Sequence, residues 1–167
     1  ILPHDGVYYL YGKLELNDRK FVVYKSNDLK EWSEPKVVFK PPSDFWATKD
    51  FWAPEVHVYK DKFYIGAGQN IYRTDKSLDQ SEKYLDASIL WADSDGDYIY
   101  ATRDSNVNAY DENGVLHYSV QCSSPYVLQC FKGIKGCFVF EKNNEVSYIV
   151  EDKKRHCGYA SDNSVNR

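Results

Sequence analysis

The chain has 167 residues, 43% hydrophobic and 28% charged, a composition that builds a packed globular core rather than a disordered or fibrous chain. Its net charge of −4 and sequence pI near 5.6 exclude the basic footprint of a nucleic-acid-binding surface. No apolar run approaches the roughly 18 residues of a membrane-spanning helix.

Alternation of apolar and polar residues runs through the chain, and helical periodicity is nearly absent. The first residues, Ile1-Leu2-Pro3-His4-Asp5, have neither a basic stretch nor an apolar stretch of the kind a secretion signal needs. With no Met in the chain, this predicts a processed form or a portion of a longer protein. A strand follows at once in Asp5-Gly6-Val7-Tyr8-Tyr9-Leu10-Tyr11. Lys20-Phe21-Val22-Val23-Tyr24-Lys25-Ser26 reads as an outer strand, closed by the turn Asn27-Asp28-Leu29-Lys30-Glu31-Trp32. Lys40-Pro41-Pro42-Ser43-Asp44 reads as a loop.

Three more strand-turn-strand units follow. Val56-His57-Val58-Tyr59 precedes Asp61-Lys62-Phe63-Tyr64-Ile65, Ile89-Leu90-Trp91 precedes Asp95-Gly96-Asp97-Tyr98-Ile99-Tyr100, and Phe138-Val139-Phe140 precedes Asn144-Glu145-Val146-Ser147-Tyr148-Ile149. Asp-Gly and Asn-Asn between such runs are hairpin signals, because these residues tolerate positive φ. Ile71-Tyr72-Arg73-Thr74-Asp75 and Cys157-Gly158-Tyr159-Ala160-Ser161-Asp162 repeat the outer strand. Residues 102–132 follow the pattern least. The spacing of the units is irregular and brackets the roughly 40–50 residues of a propeller blade. The expectation is an all-β protein over residues 1–167, a β-propeller or partial propeller of four-stranded antiparallel blades, with about four blade units visible.

The polar landmarks admit ordinary readings. Lys153-Lys154-Arg155 reads as a solvated turn. Cys122, Cys130, Cys137 and Cys157 have no Cys-x-x-Cys spacing, which disfavours zinc and leaves one or two disulfides, or buried thiols. Aromatics make up 16% of the chain; their rings suit pleated strands and also stacking on sugars.

The run Phe51-Trp52-Ala53-Pro54-Glu55-Val56-His57-Val58-Tyr59, followed by Phe63-Tyr64, closely resembles the second blade of glycoside hydrolase family 43, the five-bladed xylosidases and arabinofuranosidases. Asp5-Gly6-Val7-Tyr8-Tyr9-Leu10-Tyr11-Gly12 and Ser26-Asn27-Asp28-Leu29-Lys30-Glu31-Trp32 resemble the first blade. Leu85-Asp86-Ala87-Ser88 resembles the opening of the third. Gly136-Cys137-Phe138-Val139-Phe140 with Gly158-Tyr159-Ala160-Ser161-Asp162 resembles the fourth. The resemblance implies an inverting glycosidase acting on xylose- or arabinose-containing carbohydrate, in which two carboxyl groups roughly 6.5–9.5 Å apart flank the scissile bond.

Asp86 matches the family's third-blade aspartate, which keeps the acid's pKa high and orients it; as an ordinary residue it is a turn aspartate. Lys135-Gly136-Cys137 aligns with the triplet that carries the general acid, so a lysine stands at that position, and Glu141 reads as a turn residue at the hairpin. The general base belongs just before Ile1, and a fifth blade is missing. Trp46, Phe51 and Trp52 are candidate sugar-stacking residues or interblade packing. Glu55 lies on an inner strand, either in substrate binding or as a satisfied buried acceptor, with His57 on the same face. No cofactor is required; a structural calcium in the central channel is compatible with the resemblance, although no residue can be assigned to it. The expected partner is carbohydrate, with no nucleic acid and no membrane. Two alternatives stay open: a carbohydrate-binding propeller without catalysis, and a shortened propeller whose open sheet edges pair with another copy.

Overall fold

The computed structural model describes residues 1–15, 17–45, 47–48, 54–67, 70–79, 81–86 and 89–160, with backbone alone at Ile89 and Leu90. Sixteen strands and no helix occur among them. They form four four-stranded antiparallel sheets in which consecutive strands are neighbours, so the all-β class and the four-stranded blade units follow the sequence expectation.

The chain divides into two compact units, Ile1–Ala87 and Ser88–Arg167. In the first unit, one sheet contains β1 (Leu2–His4), β2 (Val7–Gly12), β3 (Phe21–Ser26) and β4 (Lys36–Phe39). The other contains β5 (Glu55–Tyr59), β6 (Lys62–Ala67), β7 (Asn70–Thr74) and β8 (Glu82–Leu85). Their alternating apolar residues meet in one core of Tyr9, Phe21, Val23, Phe39, Phe63, Ile65 and Tyr72. Aromatic rings cross between the sheets, with Tyr9 and Phe63 centroids 4.9 Å apart and Phe39 and Tyr72 centroids 4.7 Å apart.

In the second unit, one sheet contains β9 (Ile89–Ser94), β10 (Ile99–Arg103), β11 (Asn106–Tyr110) and β12 (Leu116–Gln121). The other contains β13 (Pro125–Gln129), β14 (Cys137–Glu141), β15 (Glu145–Val150) and β16 (Lys153–Tyr159). Tyr100, Val107, Leu128, Val139 and Ile149 share its core. The Trp91 indole N–H donates to the Leu128 carbonyl at 2.9 Å, joining the first strands of the two sheets.

The turns sit where their chemistry predicts: Asp5 (φ 49°), Asp61 (φ 61°), Gly96 (φ 96°) and Asn144 (φ 65°) are all left-handed, the region Gly, Asn and Asp enter most readily. Their places differ, however. Asp5, Asp61 and Gly96 lie in turns between the first and second strands of their sheets, whereas Asn144 joins the second and third of the last. The fourth repeat is therefore one strand out of phase, because residues 102–132 contribute β11, β12 and an additional first strand, β13.

Two local expectations are corrected. Lys153-Lys154-Arg155 begins β16 rather than forming a turn, and Lys154 is drawn inward by a carboxylate. That carboxylate is Glu141, the last residue of β14, with a side chain 0% exposed. Its burial rests on three donors: the Ser123 and Ser124 N–H groups and the Lys154 ammonium.

Candidate functional site

The second sheet places the most site candidates. β5 carries Val56 and Val58 against the first-unit core, so strand alternation directs Glu55 and His57 to the opposite face. Gly66 stands opposite Glu55 across the β5–β6 pair, and having no side chain it leaves that end of the face uncovered. Glu55 is 53% and His57 39% exposed, with Oε1 and Nε2 3.0 Å apart. Glu55 is thus a solvent-facing acceptor on an edge strand rather than the buried acceptor of its ordinary reading. Trp46, Phe51 and Trp52, which precede this strand, lie outside the described residues.

From His57 a row of residues crosses the sheet through Tyr64 and Arg73 to Glu82. Arg73 Nε donates to Glu82 Oε1 at 2.7 Å, and the guanidinium lies 5.4 Å from the Tyr84 ring centre. Burial works against the Arg73 charge, but the Glu82 carboxylate outweighs it and holds the guanidinium above its ordinary value. A pocket of about 270 Å³ opens beside the row, lined by Lys62, Arg73, Thr74, Asp75, Asp79 and Glu82. The sequence reading passed over Arg73 and Glu82. Only the β7–β8 register, broken by an irregularity after Ile71, brings them together.

Asp86 follows β8 directly, with its side chain 75% exposed and an oxygen 3.3 Å from Lys83 Nζ. Glu55, Gly66, Ile71 and Leu85 form one row across the sheet, so Glu55 and Asp86 share an end of it. They stand at opposite edges, three strand spacings or about 14 Å apart. That separation exceeds the span of two carboxylates bracketing a glycosidic bond.

Lys135 lies in the second unit, in the loop between β13 and β14. Its ammonium is 2.9 Å from Asp97 Oδ2, and that hydrogen bond holds it above the usual lysine range. A permanently protonated ammonium is a poor donor to a leaving group, since acid catalysis favours a pKa near working pH. The adjacent Gly136 N–H donates to Asp95 at 2.5 Å.

One group of donors among the described residues has metal-like spacing: His4, Asp5 and Asp61, from the first-strand turns of the two sheets of unit one. Lys76 Nζ already lies 2.6 Å from Asp5 and 3.4 Å from Asp61. The lysine hydrogen bond, then His4, hold the Asp5 carboxyl below its ordinary value. Calcium takes six to eight oxygen ligands; two carboxylates satisfied by an ammonium do not fit it.

Comparison with known proteins relates these features to one family. An extracellular endo-α-(1→5)-L-arabinanase 1 from Bacillus subtilis (strain 168) is 26% identical over 118 residues, 66% of this chain and 36% of the relative. The chain therefore spans about a third of that curated relative. A protein of unknown function from Bacteroides caccae shares the fold with a TM-score of 0.54 at 12% identity, over 92% of this chain and 57% of the other. An endo-arabinase from Bacteroides thetaiotaomicron VPI-5482 superposes with a TM-score of 0.49 at 18% identity, over 95% and 77%. The family model of glycosyl hydrolases family 43 matches residues 1–111, spanning the first three sheets' opening hairpins, the Phe51–Tyr59 run and Asp86. The chain belongs to glycosyl hydrolases family 43.

Proposed function

We propose that this chain is part of an inverting glycoside hydrolase acting on arabinose-containing polysaccharide. The observation that carries the reading is the family match over residues 1–111, which includes both the second-blade run and Asp86. The arabinan preference rests on the Bacillus subtilis arabinanase; xylose-containing substrates are the alternative within the family. In this reading Trp46, Phe51 and Trp52 stack on sugar rings, Glu55 accepts from sugar hydroxyls beside His57, and Asp86 holds the acid's proton and orientation through its charge. No residue of this chain is assigned as the base or the acid.

Release of sugar from linear α-1,5-arabinan, with the product anomer followed by NMR, tests the reading on the longest natural form of the protein. Inversion and a steep loss in Asp86→Asn are expected. Full activity in that variant overturns the Asp86 assignment, and preferential cleavage of aryl xylosides overturns the arabinan preference. The Lys135–Asp97 ion pair favours a second reading, a carbohydrate-binding propeller without turnover. Calorimetric binding of arabino-oligosaccharides with no product formed would establish that reading instead.

A further inference from the structure

β13 and β14 pair Leu128 with Val139 and Gln129 with Phe138. Cys130 follows the last residue of β13, and one further step of the same antiparallel register would set it opposite Cys137. Cys137 is fully buried in the second-unit core and Cys130 packs against the same cluster, so both side chains occupy one face. The Cys137 thiol donates to the Phe138 carbonyl at 3.3 Å, and the Cys130 side chain lies in the same core beside it. Directly opposed residues of an antiparallel pair have Cα atoms about 4.5–5.5 Å apart, within the roughly 4.4–6.8 Å that a disulfide bridges. All four cysteines are free thiols. The Cys130 N–H is anchored on Asp93 at 2.7 Å, while Gly133 (φ 81°) and Gly136 (φ 93°) turn the loop that returns the chain to Cys137.

We propose that Cys130 and Cys137 are a redox pair that converts to a cross-strand disulfide by exchange with a low-molecular-weight disulfide. Cys130, the partly exposed member, gives its proton to water, and its thiolate attacks one sulfur of the small disulfide. That S–S bond breaks, one small thiolate leaves, and a mixed disulfide remains on Cys130. Cys137 then loses its proton and attacks the Cys130 sulfur, forming the protein disulfide and expelling the second small thiolate. Two protein thiols are oxidised, one small disulfide is reduced to two thiols, and the protons pass to solvent or the departing thiolates. The neighbouring Cys137 thiol, together with burial, pushes the Cys130 thiol up. Exchange is therefore slow at neutral pH and accelerates as pH rises.

The bridge would close the loop of residues 131–136, which carries the Lys135–Asp97 ion pair and the Gly136–Asp95 hydrogen bond. Oxidation thus fastens this loop to β13 and β14 at both ends.

The test uses the chain in a Cys157→Ser background, which removes the exposed thiol. After equilibration with oxidised glutathione at mildly alkaline pH, free thiols are alkylated in denaturant and the protein is digested with chymotrypsin without reduction. Cleavage after Tyr126 and Phe131 separates Cys122, Cys130 and Cys137 onto different peptides. The expected result is a linked Cys130–Cys137 species, an intact mass lower by two hydrogens, and Cys122 still alkylated. Slower amide exchange across residues 131–136 should accompany it. Alkylation of both Cys130 and Cys137, or linkage of Cys137 to Cys122, overturns the pairing. Unchanged exchange in the oxidised protein overturns the fastening of the loop.

Discussion

The carboxylate of Glu141, sealed from solvent at the end of β14, meets the ammonium of Lys154 on β16 across the intervening strand β15. The same carboxylate accepts from the Ser123 and Ser124 N–H groups, so a single buried charge ties the β12–β13 connection to the fourth sheet. Removing one partner from such a set leaves donors buried without an acceptor. Glu141→Ala should lower the stability of the folded chain by about 3 kcal/mol. Glu141→Gln should cost less, because an amide oxygen still serves the two N–H groups. Urea unfolding of the three proteins checks the order; equal midpoints would contradict it.

Acid sensitivity follows from carboxylates that cap turns. Asp28 accepts from the Glu31 and Lys30 N–H groups at 3.0 and 2.9 Å, and these bonds, Glu31 first, lower its pKa below 3.8. Asp111 is lowered chiefly by the Val115 N–H, with help from His117. A carboxylate with a depressed folded pKa binds fewer protons folded than unfolded above that pKa. Its stabilisation is complete above the unfolded value and is lost as pH falls through the folded one. Stability should therefore decline below about pH 4, and Asp28→Asn should flatten the decline. Thermal melts across this range in both proteins provide the measurement.

Gly136 illustrates a backbone requirement that composition does not reveal. It has φ +93°, and a Cβ added there would collide with the Ile149 carbonyl and approach the Tyr148 ring to 3.1 Å. Gly136→Ala should cost more than about 1 kcal/mol, with the loss read from chemical denaturation. Gly133→Ala, with φ +81° and nothing near the added carbon, should cost less, since only conformational strain is added.

The thiols should label in order of access. Cys157 is exposed, whereas Cys122 is buried and pushed up to about 11 by that burial. Brief iodoacetamide treatment of the native reduced chain near pH 8 should modify Cys157 first and leave Cys122 and Cys137 unmodified, as peptide mass analysis would show. Early labelling of Cys122 would mean that the second-unit core opens readily.

Asp86→Asn keeps the shape and removes the charge. If the aspartate tunes and orients an acid, kcat should fall about 100-fold or more with a much smaller change in KM. The loss of the exposed Lys83 contact at 3.3 Å should leave the unfolding midpoint nearly unchanged. Steady-state kinetics on arabinan beside a thermal melt separates the two effects.

The second-blade run and the Asp and Asn turns were legible because their causes are local. Alternation selects a strand face, and residues that tolerate positive φ mark reversals, as at Asp5, Asp61 and Asn144. The family resemblance was legible on the same residues, and the match over residues 1–111 agrees with it. Residues 102–132 were harder to read: Tyr110 and Leu116 flank an Asx-stabilised turn at Asp111, and a register irregularity there disrupts simple alternation.

The strand pattern, the hairpin turns and the family are all encoded by neighbours along the chain. Tertiary structure decided the rest: the out-of-phase fourth sheet, the burial of Glu141 under Lys154, the Arg73–Glu82 pair and the gathering of Cys130 and Cys137 into one core. Each of these depends on which residues stand opposite across a strand pair or a core. A shift of one residue in register exchanges the faces of a strand, and local patterns alone do not specify that register.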